Sequence, residues 1–462
     1  MPDDKKRSVW SSYTADDKKA LEELSAGYID FISRCKTERE STAESVRLAE
    51  AAGYRNLAEI VKKGEKLKAG DKVYAINMKK AIALFNIGTE PIEDGMAILG
   101  AHIDTCRLDV KQNPLYEEGG LAYLDTHYYG GIKKYQWVTI PLAMHGVVVK
   151  KDGKVIPVRI GEEDSDPVFC VTDLLVHLSQ EQLKKAGAKV IEGESLDILV
   201  GNYPMKKDDK ESVKEGVLSL LKQKYDIEES DFQSAELALV PAGKARELGF
   251  DRSMILGYGQ DDRVCSYTSL VAMLETGNVK RTSCCLLVDK EEIGSVGATG
   301  MHSRFFENTV AELMNACGSY SELGLRRVLA NSCMLSSDVS SAFDALYAGS
   351  YDKKNVAYLG KGMVLNKFTG ARGKSGSNDA NAEYLGKLRG IFDKHNVKYQ
   401  LAELGKVDQG GGGTIAYIMS AYGMQVIDSG VGVLSMHAPW EATSKIDLYE
   451  VKKGYSAFLQ EI

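Results

Sequence analysis

Ser283–Glu292, SCCLLVDKEE, is the stretch that decides the fold class, because an apolar run ends there in a group of charged residues. The six residues Ser283–Val288 have the length and apolar character of a strand that is buried on both faces. The later segment Arg304–Gly318, RFFENTVAELMNACG, carries its apolar residues at helical spacing. A strand, a polar loop and a helix in succession are the repeating unit of a parallel α/β sheet.

The same unit recurs in the second half of the chain. Its strand segments include MILGYGQDD (254–262), GMVLN (362–366) and MQVIDSG (424–430), and each precedes an amphipathic segment. The sequence therefore predicts an α/β fold with a mostly parallel sheet flanked by helices. Near the N-terminus, Ser41 and Glu44 have capping-box spacing, which predicts a helix that begins there and stops before residue 53.

Residues 108–242 have a different character from the rest of the chain. HGVVVKKDGKVIPVRIG (145–161) places two β-branched runs around Asp152 and Gly153, which predicts a β-hairpin. This stretch contains few of the acidic and histidine clusters that flank it. We therefore predict one discontinuous α/β domain, residues 1–107 and 243–462, interrupted by a β-rich domain of residues 108–242.

The bulk composition excludes several classes of function. The net charge of −7 is spread over 462 residues, so neither nucleic acid nor an anionic membrane is expected as a partner. No apolar run reaches the roughly 18–20 residues of a membrane span, and the charged first residues do not resemble a signal peptide. The eight cysteines form no C-x-x-C pair, which is typical of a reduced, cytoplasmic protein.

Polar clusters follow the predicted strands, and in open α/β sheets ligands bind beyond the carboxyl ends of the strands. There are five such clusters: His102 with Asp104, Asp261 with Asp262, Glu291 with Glu292, Asp338, and His437. Each alone has a structural explanation, such as a helix N-cap for Asp261 or a packed ring for His437. Together their imidazole and carboxylate donors favour a divalent metal centre, with Zn²⁺ first and Mn²⁺ or Co²⁺ as its competitors.

The adjacent acids Glu291 and Glu292 indicate more than one cation. A carboxylate at the end of a buried strand is costly to desolvate, and two neighbouring carboxylates also repel each other. A pair of divalent cations would neutralise both. Two cations about 3.5–4 Å apart also activate water and polarise a carbonyl group, so the pattern suits metal-assisted hydrolysis.

The motifs at these positions, taken in order, resemble those of the M18 family of metallo-aminopeptidases and more distantly the tetrahedral M42 aminopeptidases. They are GAHIDT (100–105), DDR (261–263), DKEEIGS (289–295), SSDVSSA (336–342), GGGGTI (410–415) and SMHAPWE (435–441). The resemblance covers nearly the whole chain. It implies a peptidase that releases N-terminal residues from peptides, and a homo-oligomer, dodecameric and tetrahedral, in which the β-rich insertion makes the subunit contacts.

The resemblance also implies a role for each candidate residue. The metal ligands carried over are His102, the bridging Asp261, Glu292, Asp338 and His437. Glu291 is then the general base, which takes a proton from water and gives it to the leaving amine. Asp104 matches the acid that orients His102.

Three further residues are weaker candidates for substrate contacts. Lys374 and Arg372, in the loop TGARGKSGSN (369–378), are candidates for contacts to the substrate, and a solvated loop is the alternative. His177 lies in the insertion, from which related enzymes supply a histidine to a neighbouring subunit. The motifs around His437 differ from those of aspartyl-specific enzymes, so acidic and neutral N-terminal residues are both open as substrates.

Two other functions are compatible with the same residues. An N-acyl amidase would use this metal scaffold without requiring a free α-amine. A self-assembling shell protein would have a vestigial site and need no stoichiometric metal.

Overall fold

The computed structural model describes residues 9–205 and 212–462, and these form two compact units. The first unit takes the described residues up to Asp104 together with Ala245–Met436 and Glu441–Ile462. The second unit takes the described part of Thr105–Lys244 and the short segment His437–Trp440. No helix in these described ranges is long and apolar enough to cross a membrane.

The strands are numbered in chain order. They are β1 Arg55–Asn56, β2 Lys72–Asn77, β3 Ala81–Asn86, β4 Ala97–His102, β5 Arg107–Glu118, β6 Leu121–Tyr129, β7 Leu142–Val149, β8 Val155–Ile160, β9 Ile198–Gly201, β10 Ala235–Pro241, β11 Arg246–Leu248, β12 Met254–Gly257, β13 Ser283–Val288, β14 Cys333–Ser337, β15 Ser340–Ser341, β16 Met363–Asn366, β17 Tyr399–Leu401, β18 Gln425–Gly430, β19 Gly432–Leu434 and β20 Glu441–Ser444.

The α-helices are numbered in the same way. They are α1 Ala15–Arg34, α2 Glu38–Ala51, α3 Leu57–Lys63, α4 Gln180–Leu183, α5 Ser212–Tyr225, α6 Gln260–Glu275, α7 Phe305–Cys317, α8 Glu322–Asn331, α9 Ala382–Lys394, α10 Ala416–Ser420 and α11 Lys445–Glu461.

A large mixed sheet forms the centre of the first unit. Within the described residues its strand order is β1-β2-β3-β13-β4-β14-β18-β16-β17. The central pairs β13–β4, β4–β14 and β14–β18 are parallel, whereas β3 joins β13 in the antiparallel direction. The prediction of an α/β fold with a mostly parallel sheet is therefore confirmed.

Helices cover both faces of this sheet, because its central strands are apolar on both sides. Along β4, Leu99 packs into one hydrophobic core and Ile98 into another. The first core includes residues of α1, α6, α9 and α11, and the second includes residues of α3, α7, α8 and α10. Alternation of side chains along a strand places successive residues on opposite faces, as these cores require.

A smaller sheet, β11-β12-β20-β19-β15, completes the described sheets of the first unit. The second unit is built on the sheet β8-β7-β10-β5-β6-β9, whose strand pairs are antiparallel. Within it, β7 and β8 form a hairpin, and Gly153 in the turn has φ +86°. The hairpin prediction around Asp152 and Gly153 is confirmed.

One predicted helix start is wrong. Helix α2 begins at Glu38 rather than at Ser41. Thr37 and Glu40 form the capping box, because the Thr37 side chain accepts a hydrogen bond from the Glu40 N–H and the Glu40 side chain accepts one from the Thr37 N–H. Two pairs in this segment have the same spacing, and Ser41 is instead buried inside the helix.

Candidate metal centre

Three neighbouring parallel strands end at the same edge of the large sheet, and each is followed by polar residues. His102 is the last residue of β4, Asp338 directly follows β14, and Glu291 and Glu292 follow β13 after a two-residue turn. Since β4 pairs with both β13 and β14 in the parallel direction, their carboxyl ends coincide. The topology therefore places these side chains at one end of the sheet, where α/β proteins bind ligands.

His102 lies between two carboxylates and is only 2% exposed. Its Nε2 is 3.0 Å from Asp261 Oδ1, and its Nδ1 is 3.2 Å from Asp104 Oδ1. Burial opposes the charged form of the ring, but the hydrogen bonds to Asp104 and Asp261 outweigh it and raise the pKa of His102 well above its usual value. The ring is thus fixed on both sides, an arrangement typical of a metal-ligating histidine.

Asp104 lies beyond the end of β4 and links it to the glutamate pair. The side chain is fully buried, and its Oδ1 accepts a hydrogen bond from the Glu291 backbone N–H at 3.1 Å. Its Oδ2 accepts one from the Glu292 N–H at 3.2 Å. One carboxylate therefore positions the His102 ring and the turn that carries both glutamates.

Asp261 is placed by an irregular start to helix α6. Gly259 precedes the helix in the left-handed conformation, with φ +75°, and the Asp261–Asp262 peptide bond is cis. The backbone N–H of Asp261 donates to Glu441 Oε2 at 3.2 Å. No side chain of this described region caps α6, so the N-cap explanation of Asp261 does not apply, while both acids do lie in the first turn of the helix.

The donor atoms of His102, Asp261 and Asp338 all lie within 4.8 Å of one another. All three residues are buried, with exposures of 2%, 5% and 8%. Donors on one tetrahedral zinc ion lie roughly 3.3–3.6 Å apart, given zinc–ligand distances of about 2.0–2.2 Å. One imidazole and two carboxylates at this separation fit a divalent cation of the zinc type.

The acids of the site retain protons more strongly than ordinary carboxyl groups. Burial raises the pKa of Glu291 to about 8; His102 opposes this shift, while Asp261 and Glu292 add to it. Burial also raises the pKa values of Asp338 and Asp262 well above the usual range. A bound divalent cation would stabilise the charged forms, so the site has the electrostatic character of a cation-binding cluster.

Two residues of this cluster were not assigned a role from the sequence. Asp262 is fully buried, beside the thiol of Cys265. Glu441, 1% exposed, fixes the backbone of Asp261. Both lie within motifs of the sequence, DDR and SMHAPWE. The burial of Asp262, and the contact of Glu441 with a backbone group 180 residues away, cannot be inferred from neighbouring residues in the chain.

His437 belongs to the second unit, in the segment His437–Trp440. Its Nδ1 lies 2.9 Å from the carbonyl oxygen of Gly131. Its predicted role as a metal ligand stays a prediction. His177 lies in an exposed 3₁₀ turn of the same unit, Val176–Leu178.

The weaker candidates lie in loops of the first unit. Lys374 and Arg372 are exposed, and the Lys374 ammonium pairs with Asp379 at 2.9 Å and lies 3.8 Å from the centre of the Phe368 ring. The Gly370 N–H donates to the Gly412 carbonyl at 2.8 Å. The basic loop and the glycine-rich loop therefore form one connected surface.

Comparison with known proteins identifies the family of the chain. Residues 31–459 match the profile of a family described as "Aminopeptidase I zinc metalloprotease (M18)". A protein of Clostridium acetobutylicum named "Probable M18 family aminopeptidase 1" is 61% identical over 465 residues, which cover 99% of this chain and 100% of the relative.

Solved structures agree with this match. The crystal structure of an M18 family aminopeptidase from Thermotoga maritima has a TM-score of 0.94 at 41% identity and covers 99% of both chains. The structure of aminopeptidase I from Clostridium acetobutylicum has a TM-score of 0.92 at 58% identity, covering 98% of this chain and 99% of that one. The structure titled as a yeast mApe1 dodecamer shares the fold, with a TM-score of 0.75 at 21% identity.

Proposed function

The chain belongs to the M18 family of zinc aminopeptidases, and from that premise we propose that it hydrolyses N-terminal peptide bonds at a two-cation site around His102. The observation that carries this proposal is the convergence of donor atoms from His102, Asp261 and Asp338 within 4.8 Å, at the carboxyl ends of adjacent strands. A pair of divalent cations bound there would supply Lewis acidity, which acidifies water and polarises the scissile carbonyl group.

The proposed ligands would divide between the two cations. His102 and Asp338 would hold one cation and Glu292 and His437 the other, with Asp261 shared between them. The sharing and the second pair of ligands rest on the family resemblance. Zinc is the first choice for such mixed nitrogen and oxygen donors, and manganese and cobalt are its competitors.

Glu291 is proposed as the general base. Its Oε2 lies 3.9 Å from His102 Nε2, beside the donor cluster. Glu292 is assigned to a cation and therefore keeps little basicity, so the two neighbours take different roles. Glu291 accepts a proton from water and passes it to the departing amine, while Asp104 fixes the turn that carries it.

The N-terminal selectivity follows from the free α-amino group. That group of a peptide would be held near the cations and the acidic side chains, which favours chain ends over internal bonds. Lys374 and Arg372 are proposed to contact the substrate. The Lys374 ammonium pairs with Asp379 at 2.9 Å and Arg372 is exposed, so this loop is compatible with both acidic and neutral N-terminal residues.

We also propose a homo-oligomer, as in the relative whose title names a dodecamer. The segment around His177 exposes apolar side chains, including Leu175, Val176 and Leu178, at 58%, 63% and 70% exposure. A second copy of the chain would bury them, and His177 would then lie at a subunit contact. Light scattering on the Leu178→Lys variant should show a smaller particle than the unchanged chain.

The test of the proposed function is a metal-restoration experiment on the full chain. After chelation, activity on leucyl- and aspartyl-anilides should vanish and return with Zn²⁺, Mn²⁺ or Co²⁺, with two ions bound per chain. N-acetyl-leucyl-anilide should stay uncleaved, since an acylase alone would accept it. Asp261→Asn should lose both ions, whereas Asp251→Asn, an exposed acid of the same unit, should keep them. Full activity after verified metal removal would contradict the proposal.

A further inference from the structure

Cys106 lies beside His437 in the second unit. The Cys106 sulfur and a ring nitrogen of His437 lie within 4.8 Å of each other, and Cys106 is only 3% exposed. A sulfur and a nitrogen on one tetrahedral zinc ion lie roughly 3.5 Å apart, given Zn–S of about 2.3 Å and Zn–N of about 2.0 Å. A cysteine and a histidine at this separation can share one cation with only a small adjustment.

The hydrogen bond of His437 determines which nitrogen faces a ligand. Its Nδ1 lies 2.9 Å from the Gly131 carbonyl oxygen, which can only accept, so Nδ1 carries the proton and donates. In the neutral ring, Nε2 is then the nitrogen whose lone pair could bind a cation. A ring N–H bound to a backbone carbonyl is the usual outer support of a metal-ligating histidine.

The backbone at Cys106 is anchored on the sheet of the second unit. The residue directly precedes β5, and Arg107 donates to Asp109 at 2.7 Å and lies 4.1 Å from the centre of the Tyr129 ring. The residue next to Cys106 is therefore held by the fold of this unit.

We propose that Cys106 is a sulfur donor to the cation at His437 and biases that position toward zinc and cobalt over manganese. Thiolates prefer such borderline ions, whereas manganese prefers oxygen donors. Binding replaces the S–H bond with a sulfur–metal bond and releases the proton to solvent. This inference rests on the proposed function, which supplies the cation, and adds a donor that the family resemblance did not provide.

Cobalt spectroscopy of the full chain tests the inference. The unchanged chain, loaded with Co²⁺, should show a thiolate-to-cobalt charge-transfer band in the near ultraviolet. Cys106→Ser should lose the band while keeping two cobalt ions per chain. In a competition experiment, the preference of Cys106→Ser for Zn²⁺ over Mn²⁺ should be at least about tenfold weaker than that of the unchanged chain. Tenfold is the lower end of the affinity losses that follow changes around a bound metal. Cys170→Ser is the matched control, because Cys170 is the other cysteine of this unit and its thiol donates to the Val171 carbonyl; it should keep the band.

A second measurement needs no variant. Alkylation of Cys106, followed by peptide mass spectrometry, should be slow in the zinc-loaded chain and faster after chelation, while the rate at Cys170 should not change. Two bound cobalt ions without a charge-transfer band, or a band that persists in Cys106→Ser, would overturn this inference and leave the proposed function intact. A chain that binds no stoichiometric metal would overturn both.

Discussion

Replacement of Asp104 by asparagine tests whether one buried carboxylate organises the metal centre. In the folded protein Asp104 accepts hydrogen bonds from the N–H groups of Glu291 and Glu292, at 3.1 Å and 3.2 Å, and contacts His102 at 3.2 Å. An amide has the same shape but offers only one acceptor oxygen. Its NH₂ group must face either a backbone N–H or the ring.

The size of the effect follows from these contacts. One hydrogen bond to a charged group, about 1.5–3 kcal/mol, is lost, and one buried N–H is left without an acceptor. Removal of a negative charge beside other acids offsets part of this loss in the metal-free protein. In the metal-loaded protein, removal of this charge brings no compensating stabilisation. Metal affinity should therefore fall about 10- to 100-fold, the usual loss when a residue that supports a metal ligand is changed. The rate should fall as well, because Glu291 is displaced.

The assay is competition for Zn²⁺ against a chromophoric chelator, with kcat measured at saturating metal. The control is Asp30→Asn on helix α1, where the carboxylate is 63% exposed and pairs with Arg34, so affinity should stay within about twofold. If Asp104→Asn binds zinc and turns over like the unchanged chain, Asp104 does not position the site.

Three other perturbations have clear expected outcomes. Glu291→Gln should keep both metals, by mass spectrometry, yet lose at least about 10²-fold in kcat, and unchanged turnover would remove Glu291 as the base. Gly430→Ala should lower the urea midpoint of unfolding, because a Cβ at this position would lie 2.0 Å from the Asp338 carbonyl oxygen. An unchanged midpoint would show that the backbone shifts to accommodate the added methyl group. Burial raises the pKa of Asp428 to about 7, so its folded form holds a proton that the unfolded form releases above about pH 4. Stability should therefore fall as the pH rises toward 7, and Asp428→Asn should flatten that slope; equal slopes would contradict the burial argument.

The local pattern of apolar and polar residues was enough to predict the fold class. Strand β13 and helix α7 were visible as an apolar run followed by helical spacing, because side-chain periodicity is a local property. The start of α2 was misplaced for the same reason, since Thr37–Glu40 and Ser41–Glu44 have equal spacing and only packing distinguishes them.

For the candidate site, by contrast, the sequence indicated the residues but not their contacts. The residue types and their order along the chain identified His102, Asp261, Glu291 and Asp338 as candidates, because charged groups directly after buried strands need a partner. The sequence had no means to indicate that Asp104 would hydrogen-bond the glutamate turn, 187 residues away.

The sequence by itself determined the α/β class, the order of the motifs and the chemical character of the donors, because these depend on residue type and on spacing within one element. Only the tertiary structure decided which donors meet, how deeply Asp262 is buried and that His437 is grouped with the second unit. Parallel pairing of β13, β4 and β14 aligns ends that lie far apart in the chain, and the resulting burial sets the protonation of the acids. Distance and desolvation are properties of the folded chain, and no local pattern encodes them.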